Sequence, residues 1–439
     1  MGRHEQPLGI LILNWMRNIV SYIHNRIDFC RSFKALSSTL MLNFKKFILV
    51  VISSLGIPGS VSAGGFRLLN QDAEAFARGN AFTATADNPS AIYYNPAGIT
   101  QLEGRQVSFG GFALSAGFDY TSLLGETASA DSTFQFAPQI YYTNSPDDSR
   151  FSYGIGLFTP FGLVVDYGRD TNFSTVAIDG ELLVATVNPT LAYEVNPQLS
   201  LGIGLGLNYS EISISRAIGL VPGDEFSVEG DGLSVGFNAG ALWQPAEEWA
   251  FGLNFRSSSK VNYSGTSTAT GLPDSSTDAS LRLPMNIGLG ASYRPSSKWN
   301  IEAGIEWTDW DAVNVTVLEG TPFGDVPFPL NYDSGFTYQL GVTRSFEQGY
   351  FLSAGYIYSE NSSPDLNFTP LIPDADIHLW TVGFGSRGEE SGWALAYAIA
   401  YNGGREVRGN SSSSLIGESA DGDYETLNHA INFSYQFSF

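Results

Sequence analysis

The sequence predicts an all-β fold: a transmembrane antiparallel β-barrel of about 14 strands, plugged by a small N-terminal helical hatch. Three observations predict it. Apolar and small or polar residues alternate with period two over long segments, and the connections between those segments alternate between short and long. A secretory leader precedes them, in a chain of 439 residues with no apolar run near the roughly 20 that a spanning helix needs.

Residues 1–40 fit poorly in front of such a leader and are read as an upstream extension of the reading frame, with Met41 the true start. A cytoplasmic pro-segment is the other reading, although "MGRHEQPLGILILNWMRNIV" forms no recognisable module. Residues 41–63 have the order of a signal peptide: Lys45 and Lys46, an apolar stretch from Phe47 to Ile57, then Val61-Ser62-Ala63. Cleavage after Ala63 leaves a chain that begins at Gly64. The single cysteine, Cys30, lies in the removed part, so the exported chain has no disulfide framework. Seven of the 22 basic and two of the 44 acidic residues also lie upstream of Gly64. That leaves 15 against 42, a net charge of −27, which repels nucleic acid.

Residues 64–104 do not alternate. "NQDAEAFARGN" reads as a short helix, started by Asn70 or Asp72 and stopped by Gly79 in the left-handed region. "DNPSAIYYNPAG" reads as a second, capped by Asp87 or Asn88, with Pro89 at its first position and Pro96 ending it. So short a segment cannot span a membrane, yet it runs directly into the first strand. Its economical place is inside the barrel.

Residues 105–439 form the barrel. In "LSLGIGLGLNYS" Leu201, Ile203, Leu205, Leu207 and Tyr209 share one face, and Gly202, Gly204, Gly206, Asn208 and Ser210 the other. "LRLPMNIGLGASYR", "WALAYAIAY" and "HAINFSYQFSF" repeat the pattern. Expected bounds include 150–160 for the third strand, 250–265 for the seventh, 278–294 for the eighth, 299–317 for the ninth and 334–346 for the tenth. Connections such as "NPQ", "PSSK" and "EQG" are short, whereas Leu163–Gly180, Leu318–Tyr332, Ser362–Asp374 and Arg405–Glu425 are long. Short turns at the periplasmic rim and long loops outside are the outer-membrane pattern, which places the chain in the outer membrane of a Gram-negative bacterium as a single-chain barrel surrounded by lipid. Trp243, Trp249, Trp299 and Trp307 fall near strand ends, where bilayer interfaces favour amphipathic rings. Phe439 closes the chain on the same face as Phe437 and Tyr435, and so resembles the signal read by the barrel-assembly machinery. Pro138, Pro189 and Pro284 fall inside expected strands, where each removes a ladder donor; shifted boundaries and local bulges are both open readings.

From "GGFRLLNQDAEAFARGNAFTATADNPSAIYYNPAGIT", "LFTPFG" and "VNPTLAYEVNPQLSLGIGLGLNY", the chain resembles the FadL/TodX family of outer-membrane transporters for long-chain fatty acids and hydrocarbons. The resemblance implies passive uptake of long-chain fatty acids or related hydrophobic compounds, aromatic hydrocarbons being the alternative ligand. It implies that Gly64, Gly65 and Phe66 form a mobile hatch terminus and that Asn95, Pro96 and Ala97 form the hatch motif. Pro160, Phe161 and Gly162 would be a kink at which ligand leaves sideways into the membrane. "RAIGLVPGDEF" is shorter than the corresponding loop of the best-known members, so a capture groove is either reduced or supplied by Phe323, Val326, Phe328 and Leu330.

By parity, Asn254, Arg256, Ser258 and Lys260 face inward on the seventh strand and Arg282 on the eighth. Arg256, Lys260 and Arg282 could hold a ligand carboxylate; a lumen ion-pair network with Glu302 and Glu306 is the other reading. No cofactor, metal or catalytic residue is assigned. The glycine runs lie on strands with no following helix, His378 and His429 stand far apart, no nucleophile motif occurs, and "DGDYE" reads as a solvated loop. A porin for polar solutes and a lipid-acting barrel enzyme are the rival functions; the plug weighs against the first, the missing triad against the second.

Overall fold

The computed structural model describes residues 64–130, 134–411 and 418–439. The extension, the signal segment and Cys30 lie outside the described residues.

The wall is a closed antiparallel barrel of 14 strands. The first five are β1 (Gly104–Ser122), β2 (Thr127–Ser129 and Phe134–Ser145), β3 (Phe151–Asp166), β4 (Asp179–Asn196) and β5 (Leu199–Arg216). Then come β6 (Phe226–Ala246), β7 (Trp249–Arg256 and Ser259–Ala269), β8 (Ser275–Leu283 and Asn286–Ser296) and β9 (Trp299–Thr308 and Val315–Thr321). β10 (Gly324–Pro329 and Gly335–Ser345), β11 (Tyr350–Ser359), β12 (Ile377–Arg387), β13 (Ser391–Tyr401 and Arg405–Val407) and β14 (Gly422–Ser438) complete it. β14 pairs with β1 from Gln106↔Ser438 to Ser122↔Gly422, so the sheet closes on itself.

The alternation reads outward. On β5 Leu201, Ile203 and Leu205 are exposed while Ser200, Asn208 and Ser210 are buried, the reverse of a soluble protein. An apolar belt on the outside and a polar lining within is the arrangement a bilayer demands. Near the short-turn rim, Trp243 lies 5.5 Å from Phe251 and Trp249 lies 4.6 Å from Tyr293, centroid to centroid.

Several strands run beyond their expected bounds. β3 continues through Pro160 to Asp166. The expected loop Leu318–Tyr332 is largely a hairpin, in which Val315–Thr321 pairs with Gly324–Pro329 and carries β9 and β10 outward. Shifted boundaries account for Pro284, whereas pairing lapses at Pro189 with no change of register. Pro284 occupies the break between the two segments of β8. Pro189 interrupts the β4–β5 ladder, which steps from Val187↔Leu207 to Thr190↔Gly204. Pro138 pairs with Gly111 of β1, beyond the point where the β2–β3 ladder stops.

Residues 64–104 fill the lumen. α1 (Ala73–Ala77) is capped by Asp72, whose carboxylate accepts from the Glu74 and Ala75 N–H groups at 3.0 Å, and Gly79 follows at φ +64°. α2 (Ala91–Tyr94) begins later than Pro89; Asn88 braces the turn before it, accepting from the Ser90 amide at 2.9 Å. Pro96 ends α2 and opens a 3-10 turn, Pro96–Gln101.

Candidate transport site: hatch, kinked strand and apolar chamber

Proline and glycine in "LFTPFG" break the register of β3. Its ladder with β4 shifts between Phe158 and Phe161, and its ladder with β2 is only five pairs long, from Ile140↔Leu157 to Asn144↔Tyr153. Beyond those pairs the facing stretches of β2 and β3 have no ladder between them. The hatch takes the vacant place. The Leu68 N–H donates to the Pro160 carbonyl and the Gly162 N–H to the Phe66 carbonyl, each at 3.0 Å, with Arg67 and Phe161 bridged between them. Gln71 adds a side-chain clasp on Thr159, donating to its carbonyl at 2.7 Å and accepting from its amide at 3.2 Å. The expected mobile terminus and the expected kink are therefore in direct contact.

Gly64 and Gly65 sit at φ +73° and +64°. A Cβ on Gly65 would come within 2.6 Å of the Trp310 ring. Phe66 is fully buried, 5.0 Å from Trp310 edge-to-face and 5.8 Å from Phe161. Asp374, in the loop between β11 and β12, accepts from the Gly65 amide and from the Ser362 and Ser363 amides, the latter two at 2.7 and 3.2 Å. Burial raises the Asp374 carboxyl above the usual carboxylate range, and these bonds and Arg405 offset the rise in part. Arg67 pairs with Glu306 of β9, Nη2 to Oε2 at 2.8 Å, and reaches the Tyr93 hydroxyl at 3.3 Å.

Asn95, Pro96 and Ala97 stand apart from the kink. The Asn95 amide donates to the Thr83 carbonyl at 2.8 Å and to the Ala241 carbonyl of β6 at 3.0 Å, and its oxygen accepts from the Ala97 amide at 3.2 Å. A Cβ on Gly202 or Gly240 would collide with Pro96 and its neighbours, which explains the small face of β5 and β6: it seats this turn. The other end of the hatch is tied by Arg387 of β12, which donates to Glu74 at 3.2 Å and to Asp87 at 3.0 Å.

The expected inward row on β7 and β8 needs correction. Arg256 does point inward; its guanidinium donates to the Tyr93 carbonyl at 3.2 Å and lies 4.9 Å from the Tyr93 ring and 5.6 Å from that of Phe158. Lys260 and Arg282 point outward. The β6–β7 ladder slips by one residue between Asn238↔Arg256 and Leu233↔Asn262, and β8 is broken at the same height by Pro284. A one-residue slip turns every later side chain to the other face. It sends Val261, Tyr263, Leu281 and Leu283 inward, all buried, in place of the two cations. Glu302 is likewise not a partner of Lys260 or Arg282; it accepts from the Ala84 amide at 2.8 Å and the Thr85 hydroxyl at 2.5 Å.

The inverted side chains build a chamber. Tyr263, Leu281, Ile212, Leu318 and Leu371 line it with Phe66 of the hatch. No lysine or arginine lines it among the described residues. Phe328 and Leu330, expected at the mouth, form part of its wall, while Phe323 stays exposed above, 5.5 Å from Phe226. Sequence reasoning missed the chamber because Leu281, Leu283, Met285 and Ile287 keep one unbroken parity on paper. Two signals pointed to the slip: Ser257-Ser258-Ser259 on one strand and Pro284 on its neighbour. Arg67, Trp310 and Asp374 carried no motif.

The family described as outer membrane protein transport protein (OMPP1/FadL/TodX) matches residues 54–439. The chain is 23% identical over 408 residues to a long-chain fatty acid transport protein of Escherichia coli O6:H1, covering 81% of this chain and 90% of that protein. It is 24% identical over 403 residues to outer membrane protein P1 of Haemophilus influenzae, covering 77% and 86%. Its fold is similar to the crystal structure of a Pseudomonas aeruginosa FadL homologue, with TM-score 0.76, 18% identity and coverage of 86% and 100%. The Pseudomonas putida toluene transporter TodX matches with TM-score 0.68, 19% identity and coverage of 86% and 100%.

Proposed function

Because the chain belongs to the OMPP1/FadL/TodX family of outer-membrane transport proteins, we propose that it takes up long-chain fatty acids or related hydrophobic compounds passively and releases them sideways at the kink of β3. It is a transport barrel of the outer membrane and not an enzyme. One observation carries the reading: the hatch, not β2, is the backbone partner of the kinked half of β3, and Phe66 of that same hatch segment forms part of the chamber wall.

Ligand would first meet the apolar residues at the outer rim, where Leu220, Val221 and Phe323 are exposed. Asp224 folds the short loop beneath Leu220 and Val221 by accepting four backbone N–H groups, from Ile218 to Val221. The ligand would then occupy the chamber and press on Phe66. Movement of Gly64–Phe66 that carries Arg67 and Leu68 with it would break two backbone hydrogen bonds and the Arg67–Phe161 contact, and open the wall between β2 and β3. Net contributions of about 0.5–1.5 kcal/mol per hydrogen bond put that step within reach of ligand binding energy. A carboxylate leaving by this route would pass Arg256, which lies beside Pro160, Phe161 and Leu283. An uncharged hydrocarbon is the second reading, favoured by the absence of a cation from the chamber wall. Phe439, 65% exposed and stacked on Phe437 at 5.7 Å, would be read by the barrel-assembly machinery.

The experiment is a reversible lock. Arg67→Cys with Phe161→Cys places thiols on bridged residues, in a chain whose sole cysteine lies upstream of Gly64. Oxidation should stop uptake of labelled fatty acid or toluene by cells, and reduction should restore it. Unchanged uptake with the cross-link formed would overturn lateral release at the kink.

A further inference from the structure

The slip that turns the side chains of β7 and β8 also remakes the outer face of the wall. Below it the outward residues are Leu253 and Phe255 on β7 and Leu289 and Ile287 on β8. Above it the first outward residues that the ladder opposes are Lys260 and Arg282, both exposed and directly paired across the two strands. Residues so opposed have Cβ atoms about 4.5–5.5 Å apart, where like charges repel. Neither makes an ion pair with another described residue. A chain with 42 acids and 15 bases after Gly64 thus sets two cations side by side at the outer edge of its apolar belt. Acids stand farther out: Asp278, beyond Ser280, opposes Glu319 of β9, and Asp231 of β6 opposes Ser264, beyond Asn262.

We propose that Lys260 and Arg282 hold the phosphate of an anionic glycolipid in the outer leaflet. The position is that of a headgroup, one step above Phe255 and Ile287, whose apolar surface suits the acyl chains of the same molecule. An ammonium beside a planar guanidinium suits a phosphate, to which both donate charge-assisted hydrogen bonds, and the bound anion removes their mutual repulsion. Exposed Val315 and Val317 on the outer segment of β9 extend the apolar seat to one side. The site lies outside the lumen and has no part in the transport route.

Native mass spectrometry of the purified full-length barrel tests this, with bisphosphorylated lipid A, enzymatically dephosphorylated lipid A and inorganic phosphate as probes. Bisphosphorylated lipid A should bind the unaltered protein at least about tenfold more tightly than the dephosphorylated form, as loss of a charge-assisted contact implies. Lys260→Gln with Arg282→Gln should erase that preference, and Lys260→Arg with Arg282→Lys should retain it. Heat-modified electrophoretic mobility shows that each variant has folded. An undiminished preference in the Gln variant would overturn the site, as would equal binding of the dephosphorylated lipid. Displacement of lipid A by equimolar inorganic phosphate would overturn the lipid as its occupant.

Discussion

The Gly162 amide of the wall donates to the Phe66 carbonyl of the hatch at 3.0 Å. A strand of the barrel therefore completes part of its ladder on the plug. Wall and plug are one hydrogen-bonded sheet at that point, so a movement of the plug is at once a change in the wall. Phe66→Ala should weaken both functions of this residue. It empties the space between Trp310 and Phe161 and removes part of the chamber wall, and buried Phe→Ala changes cost about 3–5 kcal/mol. Faster hydrogen exchange at Gly162, with Tyr141 and Tyr153 unaffected, is the expected signature; uniform protection would sink the idea.

Gly65→Val should loosen the hatch terminus from its slot. The backbone stands at φ +64°, and a branched side chain meets Trp310 there. The expected result is a rise in bilayer conductance from a nearly silent baseline, as the terminus no longer closes the gap. A variant as silent as the parent would show that the terminus tolerates displacement.

Arg256 and Lys260 are four residues apart on β7 but face opposite ways, and their variants should differ accordingly. Arg256→Ala is expected to weaken palmitate binding about tenfold while leaving hexadecane within about twofold. Lys260→Ala should leave both unchanged. Equal losses for the acid and the alkane would remove Arg256 as a carboxylate contact.

Asp374 gives a pH dependence with a definite sign. Burial raises its carboxyl above the ordinary value of 3.8, so the folded loop holds the proton more tightly than the unfolded chain does. The corresponding stability is full below the ordinary value and is lost as pH rises through the raised one. Amide protection of Gly65, Ser362 and Ser363 should therefore fall as pH rises above the ordinary carboxyl value in the unaltered protein. Asp374→Asn, which cannot titrate, should flatten that dependence; an equal slope in both would refute it.

Gly240→Val should unseat the Asn95–Ala97 turn, because a side chain there collides with Asn95 and Pro96. Overpacking of this kind costs about 1–3 kcal/mol. Limited proteolysis should cleave the hatch near Gly98 while the barrel stays intact. Resistance equal to the parent would mean that the seat is not what fixes the turn.

Much of this architecture was legible because a bilayer imposes period two so strictly. The 14 strands, the short turns and the hatch caps at Asp72 and Gly79 follow from local chemistry. Pro160, which has no N–H to give a ladder, falls where the register of β3 shifts, although its role as a kink came from the family resemblance. What failed was parity past a bulge. Ser257 and Ser258 carry no steric signature comparable to proline, and the residues beyond them alternate as cleanly as those before. One extra residue leaves the alternation on either side intact yet reverses inside and outside. Lys260 and Arg282 were placed in the lumen for that reason, and the chamber that replaced them went unseen. The contacts of Arg67 and Asp374 with residues hundreds of positions away or in another loop depend on closure, which no local window contains.

The seam between β1 and β14 joins the first strand to the last, and the hatch enters β1 directly at Gly104. The seats of the hatch on β5, β6 and β12 are all made later in the chain than the hatch itself. The plug must therefore wait, attached to an unclosed strand, until most of its container has been made. Zipping the seam then encloses it in one stroke. Manufacture of the barrel and loading of its stopper would then be a single event.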